Sequence, residues 1–320
     1  MPDLQAALSA GLGALVGAGT VPAAAYAVVA DGTAAAGGFG GAGPDTVFQI
    51  GSVTKTVTGF LLADLAERGE VQLTDPATRY LPGAAPGPVT LLGLATQTSG
   101  LPRLPPGMLR YALLRPRDPY AWYPERSFLR AARRSLAAAP GGQQPYEYSN
   151  YGFGLLGYLL GQAAGMPYET LAEQRICAPL GLRDTTFAAA PVQGHHHGKP
   201  VPPWQLGVLS AAGGLHSTAA DLARLLTACL DPVGTPLGPA LGTALAPQVR
   251  LPSGGQLGLA WHFAERDGQQ VIWHNGMTGG YSAMVALHPA RRTAAAALAN
   301  DGGTPPSPLD SLVFDALFAP

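Results

Sequence analysis

The chain has 320 residues, of which 47% are hydrophobic and only 12% are charged. This composition supports one large domain or two smaller ones, and it excludes disorder for most of the chain. The 19 basic and 20 acidic side chains give a formal charge of -1, which disfavours a nucleic-acid-binding surface and a polybasic membrane anchor. Only Lys55 and Lys199 are lysines, so the other 17 basic residues are arginines. An amine is therefore rare in this chain.

The sequence contains no stretch of 18 apolar residues, so we expect no transmembrane helix. The N-terminal segment lacks a basic n-region and carries Asp3, which favours a short helix of the fold over a signal peptide. We therefore expect a cytoplasmic protein. Cys177 and Cys229 show no metal-ligand spacing and are expected to be buried thiols. Neither a metal nor a cofactor is expected.

The predicted elements begin with two strands, at residues 23–30 and through residues 47–50, joined by an Asp31-Gly32 turn. From Ser52 the apolar spacing becomes helical, and Gly69 is a candidate C-terminal cap. The following segment, about residues 73–203, has proline-rich turns around helical pieces such as 152–164. It is typical of a mostly helical insertion.

Near the C-terminus the hydrophobic period changes to two, which predicts an antiparallel meander followed by a closing helix at residues 309–318. The four predicted strands lie at 257–264, 269–274, 281–287 and 293–299. We expect the two strand-rich ends to share one sheet, giving an α/β (α+β) fold in which helices flank an antiparallel sheet. The expected domains are 1–64 with 204–320 and an inserted helical subdomain, 65–203, with the active site at their interface.

Ser52 and Lys55 form the first candidate for chemistry, because they lie where a turn enters a helix. The backbone N–H of Ser52 is then among the unpaired donors of the first turn, and Lys55 projects from the same face. An amine kept neutral in a dry site can take the serine proton and so activate the nucleophile. The alternative is a capping serine beside a solvated lysine. With two lysines available, a Ser-x-x-Lys spacing is expected by chance only about 0.08 times.

Two further motifs supply polar groups. In Tyr148-Ser149-Asn150 the phenol can relay a proton and the amide can hold a substrate carbonyl; the alternative is a turn asparagine beside a packed aromatic ring. His274-Asn275-Gly276 is weaker evidence, because His-x-Gly also occurs at 196–198. Its predicted place, with His274 ending a strand and Gly276 allowing close approach, is typical of a substrate-lining strand; a strand-end histidine before a glycine turn is the alternative.

Together these motifs resemble those of the serine β-lactamase-like hydrolases with class C topology. That family includes class C β-lactamases, D-alanyl-D-alanine carboxypeptidases, D-aminopeptidases and esterases. The resemblance covers about residues 23–300 and includes FQIGSVTKTVTGFLLADLAERGEVQLTDP from residue 48, TSGLP at 98–102, PLGLRDTTF at 179–187 and GGLHSTAADLARLL at 213–226. It implies a β-lactamase/penicillin-binding-protein-like fold.

The resemblance also implies roles for these residues. Ser52 would form an acyl-enzyme, and Lys55 and Tyr148 would share the proton transfers, with Tyr148 as the base for deacylation. Asn150 would orient the substrate. The backbone N–H groups of Ser52 and Met277 would form the oxyanion hole.

Departures from the family pattern bear on the substrate. His274-Asn275-Gly276 stands where β-lactamases carry Lys-Thr-Gly, and we expect His274 and Gly276 to lie in the substrate-binding part of the site. A lysine suits a substrate carboxylate, whereas a histidine with an ordinary pKa is mostly neutral at pH 7. Gln97 stands where relatives usually have histidine, and no export signal is visible. These features disfavour a dedicated β-lactamase.

The sequence therefore predicts a serine hydrolase that acts through an acyl-enzyme on a carboxylic ester or amide, as an esterase, a D-amino-acid peptidase or a β-lactamase-like enzyme. Two alternatives stay open. One is a penicillin-binding or sensor-like protein that is acylated without efficient turnover, and the other is a true class C-type β-lactamase. The expected partner is a small ester, amide or β-lactam, and neither a nucleic acid nor a membrane.

Two groups of basic residues carry weaker signals. The run His195–His197 favours a polar loop within 194–203 over a metal site, because three consecutive histidines of a regular element cannot all face one ion. A second group lies in the predicted insertion and consists of Arg103, Arg110, Arg115 and Arg117. Solvated or paired surface charges are the favoured interpretation of these arginines, and recognition of an acidic substrate group is the alternative.

Overall fold

The computed structural model describes residues 1–114, 116–302 and 306–319; Arg115 of the arginine group lies outside them. The helices are α1 Pro2–Gly17, α2 Thr54–Glu67, α3 Leu91–Ala95, α4 Leu109–Leu114, α5 Glu125–Ala138, α6 Asn150–Ala164, α7 Tyr168–Ala172, α8 Ser210–Gly213, α9 Ala219–Leu230, α10 Gly238–Leu245 and α11 Pro308–Leu317. The strands are β1 Ala24–Ala30, β2 Thr33–Phe39, β3 Phe48–Gln49, β4 Gly194–His196, β5 Lys199–Val201, β6 His216–Ser217, β7 Val249–Arg250, β8 Gln256–Leu257, β9 His262–Arg266, β10 Gln269–Met277, β11 Ser282–His288 and β12 Thr293–Ala299.

An antiparallel sheet of eight strands joins the two ends of the chain, in the order β2-β1-β12-β11-β10-β9-β8-β7. The C-terminal strands form the predicted meander, except that two short strands, β8 and β9, replace the single strand predicted at 257–264. Strand β12 pairs along its whole length with β1. The prediction that both strand-rich ends share one sheet is confirmed. The chain thereby brings the N-terminal turn before α2 close to strand β10.

The first hairpin differs from its prediction. Asp31 and Gly32 do form the turn, with φ values of 49° and 78°, as a two-residue hairpin loop requires. Its second strand, however, is β2, whose sequence TAAAGGF has little intrinsic strand preference. The predicted strand at 47–50 shrinks to β3, which pairs separately with β6. Pairing with β1, which the sequence pattern did not show, makes β2 a strand.

Both faces of the sheet are covered, which explains the continuous apolar runs in β1 and β12. On β1, Ala25, Ala27 and Val29 belong to the larger core, which includes side chains of α2 and α9. The alternate residues, such as Tyr26 and Val28, face a second core built with α1 and α11. The sheet is therefore the middle layer between two helical layers.

Helix α2 lies inside the molecule, and 12 of its 14 residues are buried, Lys55 among them. The predicted helices near 152–164 and 309–318 are confirmed as α6 and α11. Between α2 and β6 the described residues form helices α3 to α8 and the small hairpin β4–β5. The division into domains 1–64 with 204–320 and 65–203 stays a prediction. Among the described residues, no helix is long and apolar enough to cross a lipid bilayer.

The hairpin β4–β5 replaces the loop predicted at residues 194–203. His197 and Gly198 form its two-residue turn, with φ values of 51° and 72°, so the histidine run is split between a strand and a turn. Within the described residues, no group of three His, Cys, Asp or Glu side chains is placed to hold a metal ion. Cys177 and Cys229 are buried free thiols.

The packing of α1 against the sheet gives a stability prediction. The side chain of Leu8 is fully buried in the second core, so Leu8→Ala should lower the free energy of unfolding by about 2–5 kcal/mol. Leu109, which is 69% exposed, is the matched control, and Leu109→Ala should change stability by less than about 0.5 kcal/mol. Urea unfolding followed by circular dichroism measures both, and equal effects would contradict the assigned core.

Candidate active site

Ser52 lies in the turn that leads into α2. Gly51–Val53 form a single 3₁₀ turn, and α2 follows at Thr54. Gly51 has a φ of 51°, a left-handed conformation that costs a glycine little. The turn presents Ser52 at the N-terminal end of the helix, where the dipole favours developing negative charge. This is the placement predicted from the sequence.

Lys55 lies one helical turn further on, and its side chain is fully buried. Its Nζ is 2.9 Å from Ser52 Oγ, 2.9 Å from Asn150 Oδ1 and 2.6 Å from the Ala212 carbonyl oxygen. Among the described residues, no carboxylate forms an ion pair with Lys55. Burial, and secondarily the positive charge of Arg103, lower the pKa of Lys55 well below its usual value. The amine is therefore neutral over a wider pH range than an ordinary lysine.

Tyr148 also contacts Ser52. Its hydroxyl donates to Ser52 Oγ at 2.5 Å, and its ring centroid is 4.8 Å from Lys55 Nζ. Burial raises the pKa of Tyr148 above the ordinary value of 10, so the neutral phenol is the favoured form. The structure thus brings together Ser52, Lys55 and Tyr148 as the sequence predicted.

The short segment that carries Tyr148 and Asn150 is fixed through the residue between them. Ser149 caps α6, because its Oγ accepts from Gly152 N at 2.8 Å and donates to the Pro102 carbonyl at 2.7 Å. The side-chain oxygen of Gln97 accepts a hydrogen bond from Ser149 N. Gln97 itself has a φ of 59°. The glutamine that departs from the family pattern therefore helps to place the segment between Tyr148 and Asn150.

Asn150 has both ends of its amide engaged. Oδ1 accepts from Lys55, and Nδ2 donates to the hydroxyl of Tyr120 at 3.2 Å. The sequence assigned Asn150 to substrate orientation. The structure shows a contact that the motif did not reveal, since the amide holds the Lys55 amine in place.

Gly276 allows strand β10 to pack directly against the turn that carries Ser52. A Cβ atom at this position would lie 2.0 Å from the Ile50 carbonyl oxygen and 2.8 Å from Ser52 N. Both are backbone atoms, which cannot rotate out of the way. The close approach predicted for this glycine is confirmed, and its partner is the backbone of the nucleophile segment.

Met277 follows Gly276 and contributes its backbone. Thr278 N donates to the Tyr281 carbonyl at 2.9 Å, and the direction of N–H groups alternates along an antiparallel strand. The Met277 N–H therefore points away from β11, towards the turn at Gly51. A Cβ on Gly51 would lie 2.7 Å from Met277 N. The N–H of Met277 thus borders the space beside Ser52.

His274 occupies a different place from the predicted one. It does not end a strand, because β10 continues to Met277, and its side chain is fully buried. Burial, with smaller contributions from His262 and Lys55, lowers the pKa of His274 well below 6.5. Its Nδ1 lies 2.6 Å from the Asn275 carbonyl oxygen, and Nε2 has no hydrogen-bond partner among the described residues. His274 is a neutral side chain beneath the site.

A cavity of about 690 Å³ opens beside Ser52. Its described lining residues are Ser52, Arg103, Tyr120, Tyr148, Asn150, His196, Trp204, Asn275, Gly276, Met277, Thr278, Gly279, Gly302, Pro306, Ser307 and Asp310. Asn275 Nδ2 donates to Asp310 Oδ2 at 3.0 Å within this wall. A cavity of similar volume, about 670 Å³, lies against β2 and α9. We assign the candidate active site to the first cavity, because Ser52 is among its described lining residues and is not among those of the second.

Several residues of the site carry no signal in the sequence motifs. Tyr120 and Trp204 reach the cavity from loops, and Ala212 contributes a backbone carbonyl that any residue could supply. Asp310 comes from α11, near the other end of the chain. Ala212 directly precedes GGLHS at 213–217, a segment that carries part of the family resemblance. That segment is the sequence feature closest to the contact between Ala212 and Lys55.

The model of the family described as Beta-lactamase matches residues 8–318. The chain belongs to the beta-lactamase family. Its beta-lactamase/penicillin-binding-protein-like fold is also seen in the octameric penicillin-binding protein homologue from Pyrococcus abyssi, with a TM-score of 0.81 and 24% identity, over 97% of this chain and 76% of that one.

Curated proteins match over shorter stretches. The D-alanyl-D-alanine-carboxypeptidase/endopeptidase AmpH of Escherichia coli K12 is 39% identical over 47% of this chain and 39% of its own length. The beta-lactamase of the same strain is 33% identical over 59% of this chain and 49% of its own. A human protein named putative beta-lactamase-like 1 is 31% identical over 82% of this chain and 55% of its own. The matches thus span about 39 to 55% of these relatives.

The contact between β10 and the Ser52 turn gives a prediction for this beta-lactamase family member. Gly276→Ala places a methyl group against backbone atoms of Ile50 and Ser52, so the strand and the nucleophile must move apart. We expect hydrolytic activity to fall on the order of 100-fold, with a lower melting temperature. Gly242→Ala in α10 is the control, because its Cβ would meet nothing within 4 Å. Equal activity of the two variants would contradict the proposed importance of this contact.

Proposed function

We propose that this chain is a serine hydrolase that cleaves a carboxylic ester or amide through an acyl-enzyme on Ser52. The observation that carries the proposal is the double contact of Ser52 Oγ with the Lys55 amine and the Tyr148 hydroxyl, at 2.9 and 2.5 Å. A serine and a lysine that meet at a protein surface leave the lysine exposed to water. The side chain of Lys55 is instead fully buried. An active-site amine with a lowered pKa is a suitable proton acceptor at neutral pH.

Counting donors and acceptors supports a neutral Lys55. A neutral amine has two N–H groups and one lone pair. The Asn150 and Ala212 oxygens take the two N–H groups, which leaves the lone pair for the Ser52 hydroxyl proton. Tyr148 meanwhile donates to the Ser52 oxygen. Each N–H or O–H donor of Lys55, Ser52 and Tyr148 then has an acceptor, and the Lys55 lone pair has a donor.

In the proposed acylation, Ser52 Oγ forms a bond to the substrate carbonyl carbon while its proton passes to Lys55 Nζ. The carbonyl electron pair moves onto oxygen, and the backbone N–H groups of Ser52 and Met277 stabilise the resulting anion. When the intermediate collapses, the bond to the leaving alcohol or amine breaks. The leaving group takes a proton that Lys55 returns through the hydroxyl of Tyr148.

In the proposed deacylation, water attacks the acyl carbon and transfers a proton to the Lys55–Tyr148 pair. The bond to Ser52 Oγ breaks, and the serine recovers its proton from the same pair. The family resemblance implies Tyr148 as the base for deacylation. The raised pKa of Tyr148 and the lowered pKa of Lys55 favour Lys55 as the proton acceptor and Tyr148 as a neutral relay.

The proposed substrate is a small ester, amide or β-lactam. A cavity of about 690 Å³ has the size of a small-molecule site. The relatives named as a D-alanyl-D-alanine-carboxypeptidase/endopeptidase and as beta-lactamases support the reaction class. A panel of short-chain esters, D-Ala-D-Ala peptides, peptides with an N-terminal D-amino acid and cephalosporins separates the candidate activities.

Labelling tests the nucleophile. A fluorophosphonate probe or a fluorescent penicillin should label the wild-type protein and leave Ser52→Ala unlabelled, with Ser99→Ala as a matched control that is still labelled. The p-nitrophenol released from p-nitrophenyl butyrate should then rise linearly over many turnovers. A burst of one equivalent without further release would instead indicate a penicillin-binding or sensor-like protein. Equal labelling of Ser52→Ala would refute the proposed function.

The pH dependence tests the state of Lys55. Because the neutral amine is the active form, kcat/KM should rise with pH through the lowered pKa of Lys55 and level off below pH 10.4, the usual pKa of a lysine. Lys55→Arg keeps a positive charge but cannot act as a base, and should lose on the order of 10²- to 10⁴-fold in kcat/KM. Initial rates corrected for spontaneous ester hydrolysis measure both. A rise centred at the usual lysine pKa, or an active Lys55→Arg variant, would contradict the assignment.

A further inference from the structure

Arg103 places a permanent positive charge in the wall of the Ser52 cavity. Its backbone is fixed beside α6, because its carbonyl oxygen accepts from Tyr151 N at 3.3 Å. The guanidinium lies over the ring of Tyr148, with Cζ 5.2 Å from the ring centroid. The side chain is exposed. Arg103 is therefore next to the reacting groups and accessible to a ligand.

Within the described part of the chain, the charge of Arg103 has no carboxylate partner. The other arginines of its group do not share its position, since Arg110 and Arg117 are absent from the described cavity wall. The guanidinium lies over the ring of Tyr148, and none of its N–H groups is hydrogen-bonded to a described residue. An arginine with five donors and no partner in an enzyme cavity is suited to bind an anion in bidentate geometry.

Neither His274 nor Lys55 presents a positive charge to the cavity. His274, which stands where β-lactamases carry a cationic lysine, is buried and absent from the described cavity wall. Lys55 is buried and engaged by Ser52, Asn150 and Ala212. Near the strand, the wall instead presents Asp310, bound to Asn275, which repels anions. Among the described residues of the cavity wall, Arg103 is the one arginine or lysine.

We propose that Arg103 forms an anion subsite that binds a carboxylate group of the substrate through its guanidinium. This inference rests on the proposed function, because it concerns the substrate of the same site. The carboxylate belongs either to the acyl part or to the leaving group, and both sources share the same recognition chemistry. No covalent step is involved. The subsite makes the enzyme selective for anionic esters or amides over neutral ones.

Three esters separate these sources: p-nitrophenyl butyrate, which is neutral, the mono-p-nitrophenyl ester of glutaric acid, with a carboxylate on the acyl part, and 4-carboxyphenyl butyrate, with a carboxylate on the leaving group. Arg103→Gln should lower kcat/KM for one of the two anionic esters about ten- to a hundredfold more than it lowers kcat/KM for the neutral ester. Arg103→Lys should lie between. Added salt should reduce the preference in the wild type.

Arg110→Gln is the matched control. Arg110 also lies over a tyrosine ring, with Cζ 4.9 Å from the centroid of Tyr111, but it is not in the described cavity wall. It should leave all three rates unchanged. Rates are compared on the high-pH plateau, because the charge of Arg103 also lowers the pKa of Lys55 and its removal shifts the pH profile. Equal losses for all three esters in Arg103→Gln would overturn the subsite.

A binding measurement separates failure of the subsite from failure of the proposed hydrolase. Calorimetry of glutarate with Ser52→Ala protein requires no turnover. The affinity should fall about tenfold or more when Arg103→Gln is added, and should stay unchanged with Arg110→Gln. If both double variants bind glutarate equally, the subsite is refuted whatever the catalytic results. If wild type and Ser52→Ala hydrolyse esters alike, the proposed function fails, while the glutarate result still decides the subsite.

Discussion

The buried amine of Lys55 is the constraint on which the rest of the site depends. Its nitrogen is taken out of water and contacts three separate parts of the chain, at Ser52, Asn150 and Ala212. A buried ammonium without a carboxylate partner is costly, and loss of the proton removes most of that cost. Helices α6 and α8 must therefore lie where the Asn150 side-chain oxygen and the Ala212 carbonyl oxygen can accept hydrogen bonds from the amine. The packing that closes this region also creates the base that the proposed chemistry needs.

A second constraint comes from the sheet, which holds β10 against the Ser52 turn. Because β1 pairs with β12 and β12 with β11, the position of β10 relative to the N-terminal part of the chain is set by hydrogen bonds along whole strands. Gly276 then lets the two backbones meet. The sheet supplies the rigid element, and the helix supplies the nucleophile. This arrangement belongs to a fold that the chain shares with a protein of 24% identity.

Local patterns predicted the parts of this molecule that depend on neighbouring residues. The spacing of Ser52 and Lys55 follows from one helical turn, and the C-terminal strands follow from short apolar runs separated by turns. Contacts between distant residues could not be read in this way. The amide of Asn150 meets Lys55 across 95 positions and the carbonyl of Ala212 across 157. Strand β2 was missed because its alanines and glycines show no strand pattern. The position of His274 was wrong because a motif does not specify where the strand ends or which of its side chains face the cavity.

The scarcity of lysine has a practical consequence for handling the protein. The chain has two lysines; Lys55 is fully buried, and Lys199 is exposed at the start of β5. Reagents that modify amines under mild conditions would therefore attach at Lys199 and at the N-terminus. Strand β4, which pairs with β5, carries His196 in the wall of the Ser52 cavity. A fluorophore on Lys199 would lie near the mouth of the site, where it could report the arrival of a ligand without alteration of the nucleophile.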